Sequence, residues 1–180
     1  MKFTTSLTLL SAFTGAYALS HSNEKRTTPM TRAISDIAAG VSRLHEAASS
    51  FDGNIGPVVA SSDKLIELLI TGENIAETCD PISLGDAISL ISPCKLLERK
   101  SKMLVKVFKD RIDDVKVARG CNLTREKITV IAVHANKMVE TVVDKMTSPL
   151  ARSTAKKMTG DIKTRFDNMM DSFSEKNCPF

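Results

Sequence analysis

The fold is decided by SPCKLLERKSKMLVKVFKDRIDDVKVARG, residues 92–120, which predicts one long amphipathic helix. Ser92 is placed as an N-cap and Pro93 as the first helical residue, where a missing N–H costs nothing. Gly120 fits the position just past the helix end. One face is apolar, formed by Leu97, Leu104, Phe108 and Val115 and flanked by Leu96, Met103, Val107 and Ile112. A face this wide must be covered by other helices.

The remainder of the chain supplies covering helices and no recognisable strands. Amphipathic segments begin at Pro29 and Pro149, among others, and Ser83–Ile91 is predicted to be a short helix or connector. Alternating apolar runs and Asn-Gly hairpin turns are missing from the sequence. At 180 residues the chain is long enough for one domain with a substantial core. We therefore predict an all-α fold, an antiparallel bundle of four long helices plus one short helix with two disulfides.

The N-terminus has the features of a secretory signal peptide. Residues 1–18 combine a lysine near the start, a short apolar run and a small-x-small cleavage site. A dibasic pair at 25–26 resembles the processing site of a fungal propeptide over 19–26, and an ordinary charged pair in a disordered terminus is an equal alternative. The domain is then 27–180. Three basic residues and one acidic residue are removed with residues 1–26, so 22 basic and 20 acidic residues remain. This near-neutral balance gives no argument for nucleic acid, and no later segment approaches the ~20 apolar residues of a transmembrane span.

Four cysteines, an even number in a chain with an export signal, predict disulfides. The helix over 92–120 is ~36 Å long, whereas the Cα atoms of bridged cysteines lie within about 7 Å of each other. Cys94 at its upper end therefore cannot reach Cys121 at its lower end. In an up–down bundle Cys79 also lies at the upper end and Cys178 at the lower end. We predict the pairs Cys79–Cys94 and Cys121–Cys178.

Metal and modification sites are few in the sequence. None of the cysteines forms a C-x-x-C pair, and only His45 and His134 follow the leader, so we predict no metal site and no cofactor. The only N-glycosylation sequon is Asn122-Leu123-Thr124, in a predicted turn between helices. A glycan on Asn122 is expected there.

The sequence contains no catalytic constellation. Gly-rich phosphate loops, G-x-S-x-G and H-E-x-x-H motifs are all absent, so we predict a binding protein and no enzyme. Its eight methionines, with one Tyr and no Trp, suit a cavity for an aliphatic chain as well as a plain bundle core. Arg111, on the apolar side of the long helix, is a candidate partner for a ligand carboxylate, and pairing with a protein carboxylate is the alternative. A basic stripe between Lys95 and Lys109 is either a solvated face or a surface for anionic lipids or wall polymers.

Several stretches together resemble a known family. They are TRAISDIAAGVSRLHEAASSFDGNIGPVVASSDKLIELLITG at 31–72, IAVHANKMVETVVDKM at 131–146, the long helix at 92–120 and the last helix after Pro149. These are similar to the fungal hydrophobic surface-binding protein A family, which includes cell-wall galactomannoproteins. The resemblance implies a secreted five-helix bundle that binds fatty acids between its helices or coats hydrophobic surfaces, and some members sequester host lipid in virulence. It is a diffuse pattern of apolar spacing, so no binding residue can be transferred from it.

The resemblance and the methionine-containing interior together predict a fatty acid or similar lipid as the partner. The residues expected to line its cavity are Leu44, Leu65, Leu69, Leu104, Phe108, Ile131, Met138, Val142, Met158, Ile162, Phe166 and Met169. The alternative is a surface-active structural protein that coats hydrophobic surfaces without a stoichiometric ligand. The Ser/Thr-rich stalk and apolar tail of glycolipid-anchored wall forms are missing, which favours release into the medium over wall anchorage.

Overall fold

The computed structural model describes residues 28–179, and this part of the chain folds into helices with no strand. The helices are α1 (Pro29–Ser49), α2 (Gly56–Thr78), α3 (Leu84–Asp110), α4 (Ile112–Val117), α5 (Cys121–Lys145) and α6 (Pro149–Ser172). The all-α class is confirmed, but the prediction of four long helices is wrong, because five are long and the short one is α4. None of the helices in the described range has the length and apolar character needed to cross a membrane. The predicted signal peptide and dibasic site lie outside the described residues.

Helix α3 begins nine residues earlier than the sequence predicts. The Ser83 hydroxyl accepts a hydrogen bond from the backbone N–H of Asp86, and the Asp86 carboxylate accepts one from the backbone N–H of Ser83, each at 3.2 Å. This capping box satisfies two N–H groups that a helix start leaves without partners. Ser83–Ile91 is therefore no separate helix, and Ser92 is no N-cap. Pro93 lies inside α3, where it is buried. Its missing N–H removes one main-chain hydrogen bond, and the helix that is capped at Ser83 continues through it.

The position of the cap can be tested with two alanine substitutions. We expect Ser83→Ala to lower the free energy of unfolding by about 1 kcal/mol, since the hydroxyl that accepts from Asp86 is lost. Ser92→Ala removes an exposed hydroxyl inside the helix and should change stability by less than about 0.5 kcal/mol. Urea denaturation of both variants measures the difference. A larger loss for Ser92→Ala than for Ser83→Ala would instead place the start of the helix at Ser92.

The lower end of the long helix is interrupted, whereas the sequence predicts one continuous helix to Gly120. A bend at Arg111 separates α3 from α4. The left-handed conformation near the end of α4 is adopted by Arg119, with a φ of 56°, and not by Gly120. Gly120 serves a close approach instead, because a Cβ there would lie 2.5 Å from Cδ1 of Ile55. The glycine thus allows the start of α2 to pack against the turn before α5.

The five long helices form a closed ring. Each packs against two neighbours in the order α1, α2, α5, α6 and α3, and α3 closes the ring against α1. Lys145 at the end of α5 donates hydrogen bonds to the carbonyl oxygens of Glu77 and Cys79 at the end of α2, so α2 and α5 run upward together. Helices α1, α3 and α6 run downward. The antiparallel prediction holds for the pairs α1–α2 and α5–α6 only. A ring with an odd number of members must contain at least one parallel pair, and here the pairs α2–α5, α6–α3 and α3–α1 are all parallel.

One of the two predicted disulfides is confirmed. Cys121 and Cys178 are bonded at the lower end of the ring, with their Cα atoms 5.5 Å apart. Arg125 fixes the same segment: its Nε lies 2.7 Å from the carbonyl oxygen of Phe173, and its second guanidinium nitrogen donates to the carbonyl oxygen of Cys178 at 2.8 Å. The lower end of α6 is therefore tied covalently and by hydrogen bonds to the start of α5.

The predicted Cys79–Cys94 disulfide is wrong, and both cysteines are free. Because α3 starts at Leu84, Cys94 lies ten residues, or about 15 Å, below the upper end of the ring. Cys79 stays at the upper end, where its thiol donates to the carbonyl oxygen of Ala76 at 3.3 Å. Helix α1 also stands between α2 and α3 in the ring. The pairing fails because it depended on a helix start at Ser92.

Candidate ligand-binding cavity

The helix ring encloses a cavity of about 410 Å³. All five long helices contribute to its wall, and small side chains leave the space open, among them Ala135 on α5 and Ala151 and Ala155 on α6. Helix α6 has only three buried residues among 24, whereas α1 has nine among 21. The interior is therefore unfilled chiefly beside α6.

Eight of the twelve residues predicted to line a cavity lie in this wall: Leu65, Leu69, Ile131, Met138, Val142, Met158, Ile162 and Phe166. The other four lie lower in the core, around a crevice of about 10 Å³: Leu44, Leu104, Phe108 and Met169. This lower part is well packed, since the rings of Phe108 and Phe173 meet edge to face with centroids 6.0 Å apart. Apolar spacing thus predicts which residues face inward, but not the level at which the interior is filled.

The upper third of α3 contributes cavity-lining residues that the sequence did not lead us to predict. Leu84, Ala87, Ile88 and Ile91 all line the cavity. Their spacing of i, i+3, i+4 and i+7 is visible in the sequence and indicates one helix face. It is overlooked when Ser92 is taken as the helix start, because the preceding residues then become a connector.

The upper end of the cavity opens between apolar side chains. Leu84, Ile88 and Ile91 on α3 and Leu150 on α6 line the cavity and yet remain 47%, 59%, 37% and 71% exposed. We call these four residues the apolar rim. The starts of α3 and α6 are held side by side by Ile82, which exchanges main-chain hydrogen bonds with both sides of the turn between α5 and α6. Exposed apolar side chains grouped at the mouth of a cavity make this end a candidate contact site.

Few polar groups interrupt the apolar wall. Burial raises the pKa of the Cys94 thiol to about 11, so the thiol stays protonated at neutral pH. Ser101 lines the cavity and is 2% exposed. Glu98 lies at the solvent edge, where Lys102 Nζ is 2.7 Å from its carboxylate, and this hydrogen bond lowers the pKa of the Glu98 carboxyl. Glu98 on α3 is thus the one charged residue among the described residues that line the cavity.

Two other candidate residues lie away from the cavity wall. The Arg111 guanidinium donates to the Asp114 carboxylate at 2.9 Å and to the carbonyl oxygen of Ser49 at 2.8 Å. These bonds match the alternative in which Arg111 pairs within the protein. Asn122 is exposed in the first turn of α5, not between helices, and its Oδ1 accepts from Arg125 at 3.0 Å. A glycan on Asn122 stays a prediction.

A buried carboxylate outside the cavity joins α2 to α5. Glu73 is 4% exposed, with Oε1 2.6 Å from His134 Nδ1 and Oε2 3.2 Å from Lys137 Nζ. Hydrogen bonds to Glu77 and, second, to Glu73 raise the pKa of Lys137. None of these side chains lines the cavity, so the network serves the helix interface. Within residues 28–179 no group of three or more His, Cys, Asp or Glu side chains is arranged to hold a metal ion.

The sequence of the chain matches a known family of proteins. A family model described as hydrophobic surface binding protein A matches residues 27–144, about two thirds of the chain. The chain belongs to the hydrophobic surface binding protein A family. The family resemblance in the sequence is thereby confirmed.

The sequence identity to a curated relative is low. Cell wall mannoprotein 1 of Aspergillus fumigatus is 24% identical over 176 residues, which are 97% of this chain and 61% of that protein. The chain thus spans about three fifths of the length of this relative.

Two solved structures have the same fold. Ligand binding domain 1 of the Penicillium marneffei MP1 protein, complexed with arachidonic acids, matches with a TM-score of 0.78 at 17% identity, over 82% of this chain and 98% of that chain. AFMP4P in complex with palmitic acid matches with a TM-score of 0.76 at 16% identity, over 81% of this chain and 97% of that one. At these identities the likeness establishes the fold, and the ligands belong to those proteins.

Proposed function

We propose that the protein is a secreted fungal binding protein that holds a fatty acid or similar lipid in the cavity of its helix ring. The observation that carries this proposal is the apolar cavity of about 410 Å³, which falls in the range of roughly 300–1,000 Å³ typical of ligand sites. Transfer of an alkyl chain from water to such a site is favoured by about 0.8 kcal/mol per CH₂. Two proteins with this fold are solved with arachidonic acids and with palmitic acid, which supports the same ligand class here.

The geometry of the wall supports a proposal for the ligand contacts. We propose that the eight predicted residues in the cavity wall contact the acyl chain, together with the apolar rim. The four deeper residues, Leu44, Leu104, Phe108 and Met169, form the floor beneath it. The role is binding without catalysis, since the family and the solved structures are ligand-binding proteins.

An extracellular location, with association to the cell wall, fits this role. The Aspergillus relative is named a cell wall mannoprotein. The division into a signal peptide at 1–18, a propeptide at 19–26 and a domain at 27–180 remains a prediction, as does the use of the dibasic site.

Titration with a fluorescent fatty acid tests the proposed function. We expect saturable binding and displacement by unlabelled palmitic acid, because the two compete for one apolar cavity. Solvent extraction of the purified protein followed by mass spectrometry should also recover fatty acid. A titration without saturation and without displacement would contradict the proposal.

Coating of hydrophobic surfaces without a stoichiometric ligand is the second candidate function. The apolar rim favours it, since Leu150 is 71% and Ile88 59% exposed. A protein of this kind would adsorb to apolar beads and yet show no saturable binding of fatty acid in solution. The titration therefore separates the two candidates.

A further inference from the structure

The side chain of Arg165 on α6 is half-buried, and one of its nitrogen atoms has no hydrogen-bond partner within the described part of the chain. The Nε of Arg165 is buried and has no hydrogen-bond partner among the described residues. Arg165 lies on α6 between Ile162 and Phe166, which both line the cavity. A buried donor on a permanently charged group is unfavourable until an acceptor reaches it. The position therefore suits an acceptor that is not part of the described chain.

The Glu98 carboxylate on α3 lies among positive charges, one of which is that of Arg165. One carboxylate, that of Glu98, faces three cations, and its pKa is lowered most by the hydrogen bond from Lys102 and less by the charges of Arg165 and Lys95. Lys102 pairs with Glu98 at 2.7 Å. The side chain of Glu98 is 24% exposed and also lines the cavity. This seam between α3 and α6 thus joins the cavity to water at a place where positive charge is in excess.

A hydroxyl lies next to the same seam. Ser101 lies one turn below Glu98 on α3, lines the cavity and is fully buried. A serine hydroxyl can donate a hydrogen bond to an anion. The cavity wall above this point is apolar, since Ile91, Ile88 and Leu84 follow one another up the same helix. Glu98 and Leu84 are 14 residues apart, about 21 Å along α3.

We propose that Arg165, with Lys102 and Ser101, binds the carboxylate of the acyl ligand, so that the hydrocarbon chain runs up along α3 towards the apolar rim. This inference rests on the proposed function and adds to it the charge class and the direction of the ligand. A carboxylate at the seam keeps part of its hydration and gains charge-assisted hydrogen bonds. The planar guanidinium is suited to a carboxylate in geometry as well as charge. A ligand of the same chain length with a neutral head group lacks this interaction.

The test compares lauric acid with lauryl alcohol, which share a chain length and differ in the head group. Both compete at neutral pH against a neutral fluorescent acyl probe on three proteins: wild type, Arg165→Met and Lys163→Met. Lys163 is the matched control, because it is exposed on the same helix and pairs with Asp167 at 3.1 Å. We expect wild type and Lys163→Met to prefer the acid by about tenfold, and Arg165→Met to bind the two equally, with its affinity for the alcohol unchanged.

A second variant keeps the test decisive if Arg165→Met does not fold. Glu98→Gln removes the carboxylate that competes for the cations, so its preference for the acid should rise severalfold above that of wild type. An acid-to-alcohol ratio that is the same in wild type, Arg165→Met and Glu98→Gln overturns the head-group site. Equal binding of acid and alcohol by wild type overturns it too and leaves the proposed function standing. Binding of neither compound overturns both.

Discussion

Replacement of both Ala135 and Ala155 by phenylalanine is expected to abolish most fatty acid binding without unfolding the protein. The two alanines lie in the cavity wall on α5 and α6, and two phenyl rings would occupy the space that the ligand needs. Because the rings fill an existing void, the free energy of unfolding should fall by less than about 1 kcal/mol or rise. We expect the affinity for a fluorescent fatty acid to decrease by roughly tenfold or more.

The matched control for this variant places the same two substitutions on the outside of the ring. Ala39 on α1 and Ala60 on α2 are both exposed, so Ala39→Phe with Ala60→Phe adds the same groups without reaching the cavity. Its affinity should equal that of wild type. A cavity variant that melts like wild type and binds with full affinity would show that the ligand lies elsewhere.

Removal of the disulfide is the change expected to cost most stability. The bond between Cys121 and Cys178 closes a loop with a sequence separation of 57, and a loop of this size restricts the unfolded chain enough to stabilise the fold by about 4 kcal/mol. We expect Cys121→Ala with Cys178→Ala to lose about this amount in guanidinium denaturation. Reduced wild-type protein should show a similar loss, since the loop is opened in the same way.

Cys79 supplies the control for the disulfide variant. It is free, half-buried and bonded only weakly through its thiol, so Cys79→Ala should change the free energy of unfolding by less than about 1 kcal/mol. Equal stability of this control and the double variant would mean that the lower end of the ring does not depend on the cross-link.

The parts of the fold that could be predicted are those set by local periodicity. Apolar residues at a spacing of three and four mark the inward faces, so Met138, Met158 and Phe166 are correctly directed into the ring. The same spacing says nothing about the volume enclosed at each level, which depends on the sizes of side chains from five helices. Leu104 and Phe108 face inward as expected and still pack into solid core.

The wrong predictions have two causes. In one, two local sequence signals both indicate a helix start, and in the other, the order of the helices in space decides which residues meet. Ser92-Pro93 and the Ser83–Asp86 capping box both resemble helix starts, and only the second has both of its hydrogen bonds in the structure. The Cys121–Cys178 pair depended on helix direction alone and was therefore predictable. The Cys79 pairing depended on the start of α3. The Arg165 Nε cannot be singled out from the sequence, because its lack of a hydrogen-bond partner depends on how α3 and α6 pack.

The position of α6 in the ring has a consequence for biosynthesis. Helix α6 is the last helix of the described chain, yet it stands between α5 and α3 in space. Because the chain is synthesised from its N-terminus, the sequences of the other four long helices are complete before that of α6. Until α6 is added, the ring cannot close between α5 and α3, and Cys121 has no disulfide partner until Cys178 follows. Completion of the cavity wall and formation of the disulfide therefore depend on the same C-terminal segment, which is the last part of the described chain to be synthesised.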